Sequence, residues 1–390
     1  MKTFLKSLVL ILILIQGCKN HNKEINQFLY SDDTLVIKAE KQKGDGLFTL
    51  GVSPIAFKDT SEAFNYTIIY PQHVTNLERA QMTTDSWADE LRYIDIVKGK
   101  IADKEVFIVD ENNNKNLADD SIRIYQPVKW HTTNNLIMCK FPKSNGKEVI
   151  EDSSWIRIGV LRDWLWCGKS EHLIANFSIG KDDYEVGIID PGTHSFIYKI
   201  LPEIALLSNN AETKDTLVDK DIFKIGEFLN LNGAHYRFAS ISTNGEYVTL
   251  IKERNFNKMV GTQVGMLAPK FTCMTVSGDT IKSTDLNDRI MIITNSCGCG
   301  GDKESTNAYY DMRNKYPNEI HILRLDSKIE KIADGLQVDV DEKFNKDIYD
   351  KYRSAYCSRI CYVIDKSNRI IDKFPSYAWE SNLPQDIKNQ

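Results

Sequence analysis

The chain has 390 residues, 42% hydrophobic and 26% charged, with a formal net charge of −5. The balance is that of a globular protein too long for one core, and the absence of an Arg-rich run or basic patch argues against nucleic acid as a partner. Eight cysteines make disulfides, metal ligation and nucleophilic thiol chemistry the classes to weigh.

At the N-terminus, MKTFLKSLVLILILIQGCKN places Lys2 and Lys6 ahead of an apolar run from Ser7 to Ile15, with the small residue Gly17 directly before Cys18. The run is too short to span a bilayer and reads as an export signal. Its tail, LIQGC, resembles the lipobox of bacterial lipoproteins. That resemblance implies a signal peptide over residues 1–17 and an acylated Cys18 holding the protein on a membrane. It also implies a lipoprotein of the cell envelope facing the periplasm or the surface. Lys19 is not the Asp of the inner-membrane retention signal, which favours the outer membrane. Cys139, Cys167, Cys273, Cys297, Cys299, Cys357 and Cys361 are then left in a compartment where disulfides persist. Their number is odd, so at least one thiol stays unpaired.

Residues 18–30 are polar and aperiodic and read as a tether. From 31 to about 258 the chain reads as a β-rich domain, a sandwich or meander. TLVIKAE, NYTIIY, EVFIVD, SIRIY, EVGIID and YVTLIKE are short, rich in Val, Ile, Tyr and Thr, and bounded by turn residues. A split into two subdomains near 150 is one option, because EVFIVDENNN and EVGIIDPGTH are faintly alike. A helical stretch near 86–92 interrupts the pattern. Within DENNNKNLADD, Asp110, Asn112 and Asn114 alternate, and Asn116 and Asp119 follow. This is the oxygen spacing of a calcium loop, with Lys115 standing where such a loop has Gly; a solvated Asn-rich turn is the alternative. Calcium would be a structural ion, and no cofactor is required for thiol chemistry.

After about residue 260, strand-like and helix-like segments alternate, the signature of an α/β unit. Strands are expected at KFTCMTV, RIMIITN and IHILRLD, helices at DKESTNAYYDMRNKY, IEKIADGLQ and EKFNKDIYDKYR, and a hairpin at CYVIDKSNRIIDKF. The order strand, CGCG turn, helix puts Cys297 at a helix N-terminus, where unpaired amides favour a thiolate. CxC followed by Cx3C also supplies four thiolates for a zinc or copper(I) site, although no histidine lies beside them.

GMLAPKF and SGDTIKSTDLNDRIMIITNSCGC resemble the redoxin branch of the thioredoxin superfamily, which includes the TlpA-type disulfide reductases and the AhpC-type peroxiredoxins. The resemblance spans about residues 262–375, within a thioredoxin-like domain at 262–390. It implies an α/β thioredoxin-like fold and an antioxidant or thiol-disulfide activity through Cys297 as nucleophile. The partners it implies are a protein disulfide or peroxide as substrate and a thiol reductant. The CxxC of the reductases is broken, since Gly300 holds its fourth position and Cys299 stands one place early. Thr294 and Arg359 match the TxxC threonine and the arginine of peroxiredoxins, and Arg359 stands where the reductases have a cis-proline. Cys299 or Cys357 is left as the resolving thiol. A lipoprotein whose β-domain does the work beside a degenerate redoxin domain is the competing reading.

Overall fold

The computed structural model describes residues 27–388, apart from 32, 63, 85–92, 145–148, 194–195, 199, 211, 297–301, 328, 330–334 and 354–357. The expected signal peptide, Cys18, most of the tether and the helical stretch near 86–92 lie outside these residues.

Three antiparallel sheets build the N-terminal part. The strand Thr34–Lys43 alternates buried Leu35, Ile37 and Ala39 with more exposed neighbours, the period of two that its sequence carries. It lies in the middle of a nine-stranded sheet whose other strands, except Gln27–Ser31, come from residue 171 onward. Gln27–Ser31 pairs with Thr34–Lys43, so the end of the expected tether is strand. Residues 53–169 form two smaller sheets, of four and five strands, whose inner faces share a core of Ile94, Ile96, Phe107, Phe141 and Ile156. The strand orders are meanders and the packing is a sandwich. Residue 150 falls inside the strand Val149–Leu161, so the suggested split there is not where the sheets divide. NYTIIY does not form a strand; only Ile69 makes a bridge, to Asn116.

The faint likeness of EVFIVD and EVGIID has a structural counterpart. Each closes a strand on a fully buried aspartate whose carboxylate accepts backbone N–H groups of the following loop. Asp110 takes those of Asn114 and Lys115, and Asp190 those of Gly192, Ile200 and Leu201.

The nine-stranded sheet ends at Glu253, where Arg254 grips Asp33 through both carboxylate oxygens. A mixed five-stranded sheet follows, in the order Leu336–Asp339, Ile320–Asp326, Ile290–Asn295, Ile360–Ile364, Ile370–Pro375. The first three strands are parallel and the last two antiparallel. Every residue of IMIITN in the central strand is buried, because both faces of the sheet are covered. Ile290 and Ile292 pack with the helices Lys303–Lys315 and Trp379–Lys388 on one face; Met291 and Ile293 pack toward the helix Lys346–Tyr352 on the other.

Two elements differ from expectation. Leu336–Asp339, expected to close a helix, is the edge strand, held by parallel pairing to Leu323–Asp326. The C-terminal helix, for which no helix was expected, carries Pro384 inside it, and Trp379 and Leu383, one turn apart, bury against the sheet.

Candidate functional site

The carboxyl end of the central strand Ile290–Asn295 is where the polar side chains of the second unit gather. Cys297, Cys299 and Cys357, three of the cysteines singled out in the sequence, lie outside the described residues.

Thr294 is opposite Cys361 in the antiparallel register, and the Cys361 thiol donates to the Thr294 hydroxyl at 3.2 Å. Burial pushes the Cys361 thiol up to about 12, with the Thr294 contact pulling weakly the other way. Cys361 is therefore a neutral, unpaired core thiol.

Asn295, fully buried, donates its amide to the carbonyls of Tyr352 and Ile360, at 3.1 and 3.0 Å. Those two carbonyls bracket residues 354–357, so one side chain ties the end of the central strand to both sides of the segment that holds Cys357. Ser296, the residue before Cys297, is fixed twice: its N–H bonds the Leu325 carbonyl, and its hydroxyl accepts from Arg324 Nε at 2.9 Å. The same guanidinium reaches Gln337, Thr306 and Asp326, so Arg324 spans three strands and the first helix. Arg353, fully buried, donates to the Leu325 carbonyl at 2.9 Å.

The first helix begins at Lys303 with Asp302 as its cap, and the Asp302 carboxylate accepts from the Ser305 N–H. The cap is a carboxylate; Cys297, expected at this helix N-terminus, lies outside the described residues. Arg359 does come to this end of the sheet. Its Nε lies 3.1 Å from Asp302, so its charge is directed at the cap. Among the described residues no peptide bond is cis.

Sequence reasoning missed Arg324, Asn295, Asp302 and Arg353. The only advance signal was Arg324 itself, a charge inside the otherwise apolar run IHILRLD.

The remaining described cysteines are buried and unpaired. Burial pushes the Cys167 and Cys273 thiols up to about 12, and Cys139 is raised as well. Cys139 and Cys167 cannot bridge, because the strand Val149–Leu161 runs between theirs and they face it at Ser154 and Ile158. None of the four described cysteines is therefore held as a thiolate.

The loop proposed for calcium is organised around an internal cation. Lys115 Nζ lies 3.1 Å from Asp95, 3.7 Å from Asp110, 2.6 Å from Asn113 Oδ1 and 2.7 Å from the Tyr93 carbonyl. Asn112, Asn114 and Asn116 turn their oxygens onto backbone N–H groups two residues on, and Asp119 accepts from Asn114 and Asn116. These are Asx turns. No cluster of three or more His, Cys, Asp or Glu among the described residues could hold a metal.

No family model matches the chain, and no curated protein is significantly similar to it. Solved structures do match. They include a thiol:disulfide interchange protein from Bacteroides sp., 14% identical, covering 32% of this chain and 90% of that one, TM-score 0.28. A domain described as a possible thiol-disulfide isomerase from Cytophaga hutchinsonii is 22% identical over 33% of this chain and 96% of that one, TM-score 0.29. The exposed lipoprotein thioredoxin of Streptococcus pneumoniae is 14% identical over 31% of this chain and all of that one, TM-score 0.25. These neighbours are thioredoxin-like and cover about a third of the chain.

Proposed function

We propose that the protein is a thiol-disulfide oxidoreductase acting through Cys297, held on the outer membrane by a lipid on Cys18. The observation that carries the chemistry is elimination by environment. Four cysteines are locked as neutral core thiols, while Cys297 follows directly on Ser296, which the Arg324 guanidinium fixes. In the first step the Cys297 thiolate attacks one sulfur of a substrate disulfide, forming a mixed disulfide and releasing the other sulfur as thiolate. Cys299 or Cys357 then attacks the Cys297 sulfur, freeing the second substrate thiol and leaving an enzyme disulfide for a thiol reductant to open. With a peroxide, the thiolate attacks the terminal oxygen, hydroxide or alkoxide leaves and takes up a proton, and the sulfenic acid condenses with the second thiol.

The anchor rests on the N-terminal sequence. Among the described residues no helix is long and apolar enough to cross a membrane.

A second reading, a binding lipoprotein with a redoxin domain of little turnover, draws on Arg359, which replaces the cis-proline and is bound to Asp302. Cys297→Ser decides between them. The enzyme reading requires loss of insulin-disulfide reduction or of peroxide consumption in the full chain; unchanged rates in both assays leave only the binding module.

A further inference from the structure

A cleft of about 350 Å³ lies where the two units meet, at the lower end of the range for ligand pockets. One wall is the strand Phe228–Leu231, which ends the nine-stranded sheet; Asp372 and Lys373, from the strand that ends the mixed sheet, also line it. Two terminal strands of different sheets thus border one cavity. Phe223, Phe228 and Phe256 supply its apolar surface, and the imidazole of His235 stacks flat on Phe256 at 3.6 Å.

The free side of Phe228–Leu231 is already used in a revealing way. The Gln263 carboxamide accepts from the Phe228 N–H at 2.8 Å and donates to the Phe228 carbonyl at 3.2 Å. A side-chain amide here makes the paired bonds that a neighbouring strand would make. Two residues on, Asn230 turns its backbone N–H and carbonyl to the same side and also lines the cleft. Across the cavity, the Lys373 N–H is taken by the Asp372 carboxylate. Asp221 is paired with Lys214 at 2.5 Å, and Glu227 and Asp372 stand with Lys220 and Lys373 around the cleft.

We propose that this cleft binds an extended polypeptide by strand addition along Phe228–Leu231, with Gln263 as the placeholder it displaces. The aromatic wall takes an apolar side chain, and the carboxylates of Glu227 and Asp372 offer partners to a basic residue beside it. The segment bound is the form in which a protein disulfide would be presented, and in that respect the inference rests on the proposed redox function. It also supplies a docking site where Arg359 has replaced the usual proline.

The test uses the full chain and reduced, carbamidomethylated ribonuclease A, a basic, unfolded polypeptide that has no thiols and cannot be a redox substrate. A photo-crosslinking residue at Asn230 should capture this probe at several times the yield of one at exposed Trp164. Asn230→Pro, which removes an edge N–H, should weaken binding tenfold or more with an unchanged circular dichroism spectrum. Cys297→Ser should bind like the parent chain. Equal cross-linking at both positions overturns the proposal, as does unchanged affinity in folded Asn230→Pro; if that variant unfolds, the cross-link decides. Because the probe carries no thiol, loss of binding here leaves the Cys297 reading untouched, and loss of reductase activity in Cys297→Ser leaves this one untouched.

Discussion

Cys361 donates its thiol proton to Thr294 across one register pair of the mixed sheet, at 3.2 Å and out of reach of solvent. The contact separates two cysteines four positions apart in sequence. Cys361 is a core residue, and Cys357 remains among the three candidates for chemistry. Alkylation of the native protein with iodoacetamide should therefore spare Cys139, Cys167, Cys273 and Cys361 and label them only after denaturation. Rapid native labelling of any of the four would contradict the burial that holds their thiols neutral.

Arg324 joins Ser296, Thr306, Gln337 and Asp326. Arg324→Met leaves the largely buried Asp326 carboxylate without its closest cation and should cost about 3 kcal/mol in urea unfolding. It should also move the pH midpoint of Cys297 alkylation upward, since Ser296 loses its anchor and a nearby positive charge is gone. Arg324→Lys should recover part of the charge effect and little of the stability, because an ammonium cannot fork to four acceptors. A midpoint unchanged in Arg324→Met would show that the guanidinium does not influence the thiol.

Lys115 neutralises two fully buried carboxylates, Asp95 and Asp110. Arg79 and Tyr66 also hold Asp95, but among the described residues only Lys115 forms an ion pair with Asp110. Burial raises the Asp110 carboxyl and Lys115 opposes that rise. Lys115→Met should cost about 3 kcal/mol. Adding calcium or a chelator should leave the melting temperature of the parent chain in place; a chelator-induced drop would restore the ion to this loop.

Burial pushes the Asp386 carboxyl up to about 6, with Asp372 adding to the rise and Lys220 opposing it. The folded state binds this proton more tightly than the unfolded chain, whose carboxylate titrates near 4. Its contribution to stability is therefore full below about pH 4 and is lost as pH rises through about 6. Asp386→Asn should raise the melting temperature by about 2 °C at pH 7.5 and leave it unchanged at pH 3.5. An equal shift at both pH values would assign the effect to packing.

From its sequence alone the chain determined its two-part organisation, the alternating strands of the first part, and the order of strand and helix around IMIITNSCGC. Each was legible because burial on one or both faces leaves a period of two or an unbroken apolar run. The candidate nucleophile was legible for a similar reason, as a cysteine directly after a buried strand and before a helix. The tertiary structure decided what depends on contacts between distant segments. Sheet pairing turned LQVD into an edge strand and placed Val149–Leu161 between Cys139 and Cys167. Burial raised the Cys361 thiol beside Thr294, Asp302 took the helix cap, Lys115 was brought to Asp95 and Asp110, and Arg324 to Ser296. None of these could be read from spacing, because a side chain's charge state and partner depend on what the fold packs against it.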